Sequence, residues 1–462
     1  MDDSKPNLSV GGGVSGLAGG TREADAGAGA GAADCPQRHI DIADYRYPLP
    51  EGRIALYPLA ERDASKLLVY KAGEVCESRF ARLGEFLPPE TLLVMNDTKV
   101  VHARLVFYKG ASEASGASEA SGRPGARIEI FCLEPLRPAD IAQAFAARGE
   151  AEFLCLIGNN KKWKTGDLCM TFETAGRREV LRATRLRAQG DAFAVRFAYA
   201  GDLSFSEVLE ASGKVPLPPY IRRQAEAADA GRYQTVFARH DGSVAAPTAG
   251  LHFTENLLAE LARKGVAQTR LTLHVGAGTF KPVKDGEIGT HAMHREYVSV
   301  PARTVAALRA AVEAGRPVVP VGTTSMRSLE SLYWWGASLL DAPAAETACA
   351  ASFELAQWTP YETYGGRLPY PPLQVLTALT EYLQRTGAEA VGGYTALMIA
   401  PGYPFAFCRG LVTNFHQPQS TLLLLVAALV GDCWRSLYDY ALSHDFRFLS
   451  YGDGCLFWPP RP

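Results

Sequence analysis

The segment Val318-Val319-Pro320-Val321-Gly322-Thr323-Thr324-Ser325, which continues into Met326 to Trp335, is the most informative about the architecture. Its first four residues are apolar and predict a short buried strand, the Gly/Thr segment predicts a turn, and the remainder predicts a helix. A strand, a glycine-containing turn and a helix in this order are typical of α/β proteins, which bind ligands where strands end and helices begin. We therefore expect an α/β fold, with a large domain of helices layered on a sheet.

Three other segments have helical patterns. Glu255–Lys264 and Thr304–Glu313 are amphipathic, and each is accompanied by a threonine of the type that caps a helix N-terminus. The longest apolar run, Leu422 to Val430, has nine residues, whereas a helix that crosses a bilayer needs about 20. We therefore interpret it as a buried core helix and expect no association with a membrane.

The pattern changes after about residue 100. Arg104–Tyr108, Ile128–Leu133 and Phe193–Phe197 are short segments in which apolar and polar residues alternate, and glycine-containing turns occur between such segments. Such a series is typical of a small antiparallel barrel or sandwich. We therefore predict a small antiparallel β-barrel domain that interrupts the α/β domain.

Two low-complexity stretches help to divide the chain. Residues 11–33 contain 16 Gly or Ala out of 23, so they bury too little surface to offset the entropy lost on ordering. Gly110–Ser121 consists of GASEAS repeated twice and is typical of a solvent-exposed loop. The predicted organisation is a flexible tail at residues 1–38, an α/β domain at 39–100 and 200–462, and a β-barrel insert at 101–199 with a flexible loop at 110–126.

Composition restricts the classes of function. The 462 residues include 47 Lys and Arg and 49 Asp and Glu, so the formal charge is −2, and 47% of the residues are hydrophobic. These values exclude a disordered chain and a polycation that binds nucleic acid over its whole surface, but they allow a local basic patch. The nine cysteines form no CxxC pair, which argues against a disulfide framework or a thiolate metal site. We expect a cytoplasmic protein.

Carboxylates and imidazoles stand beside several apolar segments. Asp97 follows the run Leu92–Val94, His416 precedes the predicted core helix, and Asp453 lies near the C-terminus. An Asn-Asp pair after a strand is also typical of a plain turn. The functional alternative is a set of polar side chains presented at the ends of strands and helices.

A glycine-containing loop has the composition of a ligand-binding segment. In Gly242–Thr254, small residues allow a ligand to approach the backbone closely. Thr248 and His252 supply hydrogen bonds there, and Phe253 supplies a flat face. A histidine beside apolar residues is more often structural, but one within a Pro/Thr/Gly loop is a stronger candidate for function.

A second candidate loop follows an alternating strand that ends at His274 and runs into Gly276-Ala277-Gly278-Thr279. The backbone amides of this loop could hold a carboxylate or a ribose. His291 and His294 follow as an HxxH pair, but metal ligation needs a third ligand at a plausible spacing, and none is evident. We therefore predict no metal site.

Hydroxyl groups also stand at the start of the helix predicted at Met326–Trp335, which is called the decisive helix below. Thr323 and Thr324 are at its predicted N-terminus, and Arg327 is in the first turn. An ordinary N-cap needs such residues without any ligand, and a ligand site is the functional alternative.

A proline-rich arm and a lysine cluster are candidates for contact with RNA. Pro216, Pro218 and Pro219 force a stiff extended backbone. The arm then supplies an aromatic ring for stacking on a base and guanidinium groups for pairing with phosphate. A plain domain connector and a solvated strand face are the alternatives. The candidate RNA-binding residues are Tyr220, Arg222, Arg223, Lys161, Lys162 and Lys164.

These segments, in this order, closely resemble the S-adenosylmethionine:tRNA ribosyltransferase-isomerase family of queuosine biosynthesis. The resemblance covers about Asp41 to Phe457, and its most specific runs are GSVAAPTAGLHFT at 242–254 and LHVGAGTF at 273–280. Both runs are too long to match by chance. The other matching segments are Leu93–Val100, Val215–Ile221, Arg232–Ala238, Val321–Glu330, Pro401–Tyr403, Thr413–Thr421 and Ser450–Asp453.

The resemblance implies the same two-part fold, an activity and its partners. The ribosyl moiety of S-adenosylmethionine would be transferred to 7-aminomethyl-7-deazaguanine (preQ1) at the wobble position of a tRNA and isomerised, giving epoxyqueuosine with release of adenine and methionine. The implied partners are S-adenosylmethionine as co-substrate and a tRNA that carries preQ1 in its anticodon loop. No prosthetic group, metal or membrane is implied, and we expect a monomer.

This reaction, taken as a hypothesis, gives roles to the candidates. The sulfonium acidifies the adjacent 5′ protons, so a base could remove one and start the loss of adenine, which an acid near the purine would assist. Phe253 or Tyr451 would face the sulfonium, and Arg327 with the two threonines beside it would hold the methionine carboxylate. The candidate catalytic residues, with no choice made among them, are His252, His274, His416, Asp97 and Asp453. The candidate donor-binding residues are Gly276, Gly278, Thr279, Phe253, Thr248, Thr323, Thr324, Arg327 and Tyr451.

Two other functions fit parts of the sequence. A Rossmann-type methyltransferase would use the same donor, but the GxGxxG at Gly11, Gly13 and Gly16 has no strand before it. A non-catalytic RNA-binding paralogue would bind tRNA without consuming the donor. Release of adenine distinguishes the three functions, because only the ribosyltransferase would produce it.

Overall fold

The strand predicted at Val318–Val321 lies inside a ten-stranded sheet of the computed structural model, which describes residues 35–110, 125–276, 286–342 and 352–460. The strands of these ranges are β1 Lys66–Lys71, β2 Glu74–Arg79, β3 Leu92–Asn96, β4 Thr98–Val100, β5 Arg104–Tyr108, β6 Arg127–Arg137, β7 Glu150–Gly158, β8 Leu168–Thr174, β9 Arg177–Gln189, β10 Ala192–Ala198, β11 His240–Ser243, β12 Ala267–Leu273, β13 Glu296–Pro301, β14 Val318–Val321, β15 Phe353–Leu355, β16 Ala390–Thr395, β17 Leu411–Asn414 and β18 Gly454–Trp458. The helices are α1 Ile141–Ala146, α2 Phe205–Ser212, α3 Ala227–Arg232, α4 Glu255–Arg263, α5 Ala302–Glu313, α6 Thr323–Asp341, α7 Thr359–Glu362, α8 Pro372–Thr386, α9 Thr421–Val430 and α10 Cys433–Ser443.

Two predicted segments fall largely outside the described residues. These are the flexible tail, through residue 34, and the flexible loop, from residue 111 to residue 124. The described end of the tail contains a 3-10 helix at Pro36–His39, in which Arg38 donates a hydrogen bond to Glu362 at 2.6 Å. The predicted domain boundaries near residues 100 and 200 stay predictions.

The centre of the ten-stranded sheet is parallel. The strand order is β15-β16-β13-β12-β3-β14-β17-β18-β1-β2, and the neighbours β12, β3, β14 and β17 run in the same direction. Antiparallel pairs flank this centre on both sides, β12 with β13 and β17 with β18. Because parallel strands end at one edge of a sheet, the segments that follow β3, β12, β14 and β17 converge there.

Strand β3 separates two hydrophobic cores. All five of its residues are buried, as expected for a strand that is covered on both faces. Leu92 and Val94 belong to the core that includes the apolar side of α6, whereas Leu93 and Met95 belong to the core that includes α4. Successive side chains of a strand point to opposite faces, so helices cover the sheet on both sides and the domain has three layers.

Helix positions confirm the sequence pattern with one exception. The decisive helix is α6, the predicted core helix is α9, and α4 begins after Thr254, whose Oγ1 accepts a hydrogen bond from the N–H of Leu257 at 3.1 Å. The cap predicted at Thr304 is wrong. Helix α5 begins earlier, directly after Pro301, which lacks the backbone N–H that a helix interior needs. The Thr304 hydroxyl is buried and donates to the carbonyl of Arg270 at 2.6 Å.

The six-stranded antiparallel sheet has the order β5-β6-β7-β10-β9-β8 and confirms the predicted small barrel. Its two end strands, β5 and β8, also contact each other, so the sheet is nearly closed. Phe107, Phe153, Phe197 and Trp163 are buried inside it, together with Phe205 of α2. This interior is distinct from the two cores of the larger sheet, so the barrel is stabilised by its own apolar side chains.

No single helix in the described ranges is long and apolar enough to cross a membrane. Only α9 and α10 taken together, with a bend of 112° between them, reach that length and composition.

Candidate active site

A cleft lies at the edge where the parallel strands end. Its void, including the part open to solvent, has a volume of about 890 Å³. Its walls come from segments that are far apart in the sequence. The lining residues are Tyr220, Ala245, Ala246, Pro247, Thr248, Ala249, Val275, Gly322, Thr323, Thr324, Thr413, Asn414, Phe415, His416, Gln417, Ser420, Thr421, Leu422, Leu449 and Ser450.

Helix α6 begins at this cleft. Gly322 has a φ of 90°, which lets the chain turn sharply out of β14, and its N–H donates to the carbonyl of Val412 at 2.7 Å. Because glycine has no side chain, no side chain caps the helix N-terminus. Thr323 and Thr324 therefore bring the positive end of a 19-residue helix to the cleft. Such an N-terminus is suited to a carboxylate.

The loop before the 3-10 helix Thr248–His252 forms a wall with small side chains. Ser243 fixes the course of this loop, because its Oγ donates to the carbonyl of Ala245 at 2.7 Å and accepts from the N–H of Val275 at 3.1 Å. The loop is thereby tied to the segment that follows β12. Its alanines leave the backbone close to the cleft, which is the arrangement expected from the sequence.

Of the three candidate histidines, His416 is the one that lines the cleft. Its Nε2 lies 3.0 Å from Thr413 Oγ1, while its Nδ1 has no hydrogen-bond partner in the part of the chain that the structure describes. Burial lowers the pKa of His416 to about 3, so the imidazole is uncharged at neutral pH. An uncharged ring with one open nitrogen can exchange a proton with a ligand.

His252 lies directly behind the cleft wall. Its Nδ1 is 2.8 Å from Ser65 Oγ, and its Nε2 is 3.0 Å from Nδ2 of Asn414, which does line the cleft. Burial lowers the pKa of His252 to about 4, so this ring is also neutral. The side chain therefore affects the cleft through Asn414 rather than by direct contact.

His274 does not line the cleft. Its Nδ1 lies 2.9 Å from Thr98 Oγ1, and its ring packs so closely on Gly242 that a Cβ there would lie 2.6 Å from Nδ1. Desolvation lowers the pKa of His274 to about 4, with a smaller effect of His240. The structure thus gives His274 a packing role and explains the glycine at the start of the loop.

The two candidate carboxylates are buried, and both accept hydrogen bonds within the protein. Asp97 accepts a hydrogen bond from Thr272 Oγ1 at 2.8 Å. Asp453 accepts from the N–H groups of Lys66 and Arg447 at 2.9 and 2.7 Å. Neither carboxylate lines the cleft, so both hold strand ends in place instead of facing a ligand.

The candidate donor-binding residues divide into several groups. Those that line the cleft are Thr248, Thr323 and Thr324. Gly276 is described but is not a lining residue, and Gly278 and Thr279 lie outside the described residues.

Two of the donor-binding candidates belong to the core. Phe253 has no exposed surface and packs edge-on against Phe80 and Phe237, with ring centroids 5.2 and 6.2 Å away. Arg327 forms an ion pair with Glu296 in which the two side chains are 8% and 3% exposed. The ring of Phe253 is enclosed by the protein and the charge of Arg327 is paired with Glu296, and neither residue lines the cleft.

Tyr451 and Arg223 share a carboxylate outside the cleft. Arg223 binds Asp229 through two nitrogens at 2.6 and 2.8 Å, and the Tyr451 hydroxyl donates to the same carboxylate at 2.8 Å. The guanidinium also lies over the ring of Tyr57, 4.2 Å from its centroid. This cluster compensates the charge of Arg223 internally and holds Tyr451 away from any sulfonium in the cleft.

The remaining RNA-binding candidates lie in different places. Tyr220 lines the cleft, and its hydroxyl is 2.6 Å from Ser450 Oγ. Arg222 is exposed and pairs with Glu51 at 2.8 Å. Lys161, Lys162 and Lys164 are exposed and follow β7 of the six-stranded sheet. Only Tyr220 of this group is therefore part of the cleft.

Several polar residues of the cleft are absent from the candidates named from the sequence. Asn414, Gln417, Ser420 and Ser450 all line it. The signal for Asn414 is a polar residue at the end of an apolar strand, which the more reactive His416 obscures. Within the described ranges no charged side chain lines the cleft, and no three His, Cys, Asp or Glu side chains are grouped as metal ligands would be. The site is therefore neutral and rich in hydroxyl and amide groups.

The chain is similar in sequence to several known proteins. The sequence model of a family described as "Queuosine biosynthesis protein" matches residues 42–457. An S-adenosylmethionine:tRNA ribosyltransferase-isomerase of Aromatoleum aromaticum is 39% identical over 415 residues, which is 90% of this chain and 96% of that protein. The enzyme of the same name from Roseobacter denitrificans is 37% identical over 426 residues, 91% of this chain and 100% of that protein. A solved S-adenosylmethionine tRNA ribosyltransferase from Thermotoga maritima is 26% identical, with a TM-score of 0.42, and the match covers 89% of this chain and 99% of that one.

Proposed function

Because the chain belongs to the queuosine biosynthesis protein family, with S-adenosylmethionine:tRNA ribosyltransferase-isomerases among its relatives, we propose that it transfers the ribosyl group of S-adenosylmethionine to preQ1 at the wobble position of a tRNA. The group is isomerised to the epoxycyclopentanediol of epoxyqueuosine, and adenine and methionine are released. The family predicted from the sequence segments is confirmed, since the match spans residues 42–457.

The observation that supports this reaction is that distant segments of the chain meet in one cleft. Segments around Thr248, Thr323 and His416 meet at one edge of the sheet and form a neutral pocket rich in hydroxyl groups. Ribosyl hydroxyls need hydrogen-bond partners when they leave water, and a sulfonium would be repelled by a lysine or arginine. The lining meets both requirements.

The methionine carboxylate of the donor binds, in this proposal, at the N-terminus of α6. The N–H groups of Thr323 and Thr324 have no capping side chain to compete for them, and the helix dipole favours an anion at this end. Arg327 makes no contribution, because it is paired with Glu296.

His416 is the proposed base that removes the 5′ proton. With Nε2–H donating to Thr413 Oγ1, Nδ1 of this cleft-lining residue carries a lone pair that no described residue occupies. The low pKa keeps the ring unprotonated before the reaction, and the pKa of a catalytic base must rise toward the working pH for efficient transfer. His252 and His274 have no such access to the cleft.

The tRNA part of the proposal assigns two contacts. Tyr220, at the cleft, stacks on a base of the anticodon loop, and the exposed Lys161, Lys162 and Lys164 contact phosphates. The enzyme acts in the cytoplasm as a monomer and needs no metal or prosthetic group.

One assay tests the proposal. Protein, S-adenosylmethionine and a tRNA that carries preQ1 are mixed, and the products are separated by chromatography. Adenine should appear in a molar ratio of one to the modified tRNA. Methylated tRNA without adenine would instead identify a methyltransferase, and bound tRNA with unconsumed donor would identify an RNA-binding protein.

A further inference from the structure

One polar atom of the cleft is left without a partner. Asn414, at the end of β17, is 2% exposed, and its Oδ1 is fully buried with no hydrogen bond. Among the described residues it is the only cleft-lining side chain with such an atom. A buried carbonyl oxygen that accepts nothing is unfavourable, because it has lost its water without gaining a replacement.

The orientation of the Asn414 amide is fixed by its other end. Nδ2 donates to Nε2 of His252 at 3.0 Å and to the carbonyl oxygen of Asp453 at 3.4 Å. The main-chain carbonyl can only accept, so a flipped amide would place two oxygens against each other. Oδ1 must therefore face away from both partners.

His252 fixes the orientation of the Asn414 amide because only one of its two ring nitrogens carries the proton. Its Nε2 accepts from Asn414, so Nδ1 carries the proton and donates to Ser65 Oγ at 2.8 Å. The ring stacks on Phe80, with centroids 4.7 Å apart, which prevents rotation. Ser65, His252 and Asn414 thus form a chain of hydrogen bonds that ends at the unpaired oxygen Oδ1.

We propose that Asn414 Oδ1 accepts a hydrogen bond from a neutral donor group on the nucleoside of S-adenosylmethionine, either a ribosyl hydroxyl or the 6-amino group of adenine. His252 is then a positioning residue, which acts through Asn414. The absence of charged side chains from the described cleft lining favours a neutral O–H or N–H over an ammonium group. The inference rests on the proposed function and specifies how the donor is recognised.

The test measures the binding of S-adenosylhomocysteine, which lacks the sulfonium and is not consumed, by isothermal titration calorimetry. Three truncated probes are compared with it: the 2′-deoxy form, the 3′-deoxy form and the form with hydrogen in place of the 6-amino group. The wild-type protein should bind one of them about 10- to 100-fold more weakly than the complete compound, because Oδ1 stays unpaired. That probe identifies the donor group, and equal binding of all probes would overturn the proposal.

The substitution Asn414→Leu removes the acceptor at similar volume. The variant should bind the complete compound about 10- to 100-fold more weakly than wild type, and it should no longer distinguish it from the critical probe. Asn414→Ala provides the same comparison if the leucine variant loses its cooperative unfolding transition. A merely structural role would weaken all probes equally and keep the discrimination, which would overturn the proposal.

Three further variants test the positioning role. His252→Gln keeps an acceptor for Asn414 Nδ2 and should retain discrimination, whereas His252→Leu should lose most of it. His274→Leu is the matched control, since His274 bonds Thr98 and not Asn414, and its discrimination should equal that of wild type. If His252→Leu discriminates among the probes as well as His274→Leu does, His252 has no part in recognition of the donor.

The adenine-release assay separates this inference from the proposed function. If the wild-type protein releases adenine while Asn414→Leu discriminates among the probes as wild type does, only the inference fails. If the wild-type protein binds the probes but releases no adenine, the proposed function fails.

Discussion

The cleft edge of the ten-stranded sheet and the surface of the six-stranded sheet differ most in the placement of charge. Neutral side chains line the cleft. The six-stranded sheet instead carries exposed ion pairs, such as Arg177 with Asp202 at 2.5 Å and Arg182 with Asp167 at 3.5 Å. The parallel strands end together at one edge, whereas antiparallel strands turn back at both ends. One region therefore gathers distant loops into a pocket, and the other presents a broad charged surface.

The difference indicates two separate roles. The cleft is suited to holding the reacting nucleoside, and the charged sheet is suited to attracting a nucleic acid. A neutral, partly buried pocket strengthens hydrogen bonds to a nucleoside, because water and mobile charges do not compete. A polyanion such as tRNA is attracted by exposed cations at a distance. Histidines follow the same division, since residues 104–198 contain none and His252, His274 and His416 all lie near the parallel centre.

Loss of the proposed base in the cleft should change the reaction rate more than any other substitution considered. His416→Ala should slow adenine release by about 100- to 10,000-fold, the usual contribution of a general base. Single-turnover kinetics with preQ1-tRNA measure it. His274→Ala, the control at the same sheet edge, should stay within tenfold of wild type when the variant is folded. Equal rates for His416→Ala and wild type would mean that the pocket does not supply the base.

The next effect concerns stability. Arg327→Met removes the buried ion pair with Glu296 and should lower the free energy of unfolding by about 3–5 kcal/mol. The same change at Arg177 of β9, whose pair with Asp202 is about half exposed, should have a much smaller effect, because solvent screens exposed pairs. Urea unfolding measures both. Arg327→Met with normal stability and a raised KM for S-adenosylmethionine would return Arg327 to the donor site.

Acid should weaken the histidine-bearing region at a mild pH. The folded pKa values of His252, His274 and His416 are lowered to about 4, 4 and 3, below the value of about 6.5 in an unfolded chain. Between these values the unfolded state binds protons that the native state does not, so stability is complete above pH 6.5 and falls as the pH decreases toward 4. The loss approaches about 1.4 kcal/mol per pH unit for each histidine.

Urea unfolding at pH 7, 6 and 5 checks this sign. His252→Gln should have a shallower dependence on pH than the wild-type protein. A stability that stays constant from pH 7 to pH 5 would show that the three imidazoles take up protons over the same pH range in the folded and unfolded states.

The smallest effect is expected on the six-stranded sheet. Replacing Lys161, Lys162 and Lys164 by alanine should weaken tRNA binding and reduce the salt dependence, with the slope of log K against log salt smaller by about 2. The rate at saturating tRNA should not change, because the lysines do not line the cleft. Filter binding at several salt concentrations measures the slope, with Lys264→Ala as the control. An unchanged slope would remove the lysines from the tRNA surface.

Much of the fold could be predicted because its signals are local. The segment Val318–Trp335 contains its strand, turn and helix within consecutive residues, and Thr254 caps α4 from the adjacent position. Alternation within single strands likewise identified the barrel. The start of α5 was missed because both Pro301 and Thr304 can precede a helix, and only packing decides between them.

The loops that form the site could be predicted, but the side chains of those loops that face the cleft could not. His252, His274 and His416 occupy loops of similar composition, and side-chain direction decides which of them reaches the cleft. Phe253 is adjacent to His252 but lies in the core, and Arg327 is occupied by Glu296 from β13. These outcomes depend on strands that are distant in sequence, so residue patterns within one segment do not contain them.

The double pairing of β3 limits how the length of this chain can change. Leu93 is paired with Gln268 of β12 on one side and with Val319 of β14 on the other. An inserted residue would exchange the side chains that face the two cores and displace Asn96 and Asp97. Insertions and deletions among relatives should therefore be absent from residues 92–96 and accumulate in connections such as that between β5 and β6, so an alignment should contain a gap-free block at β3.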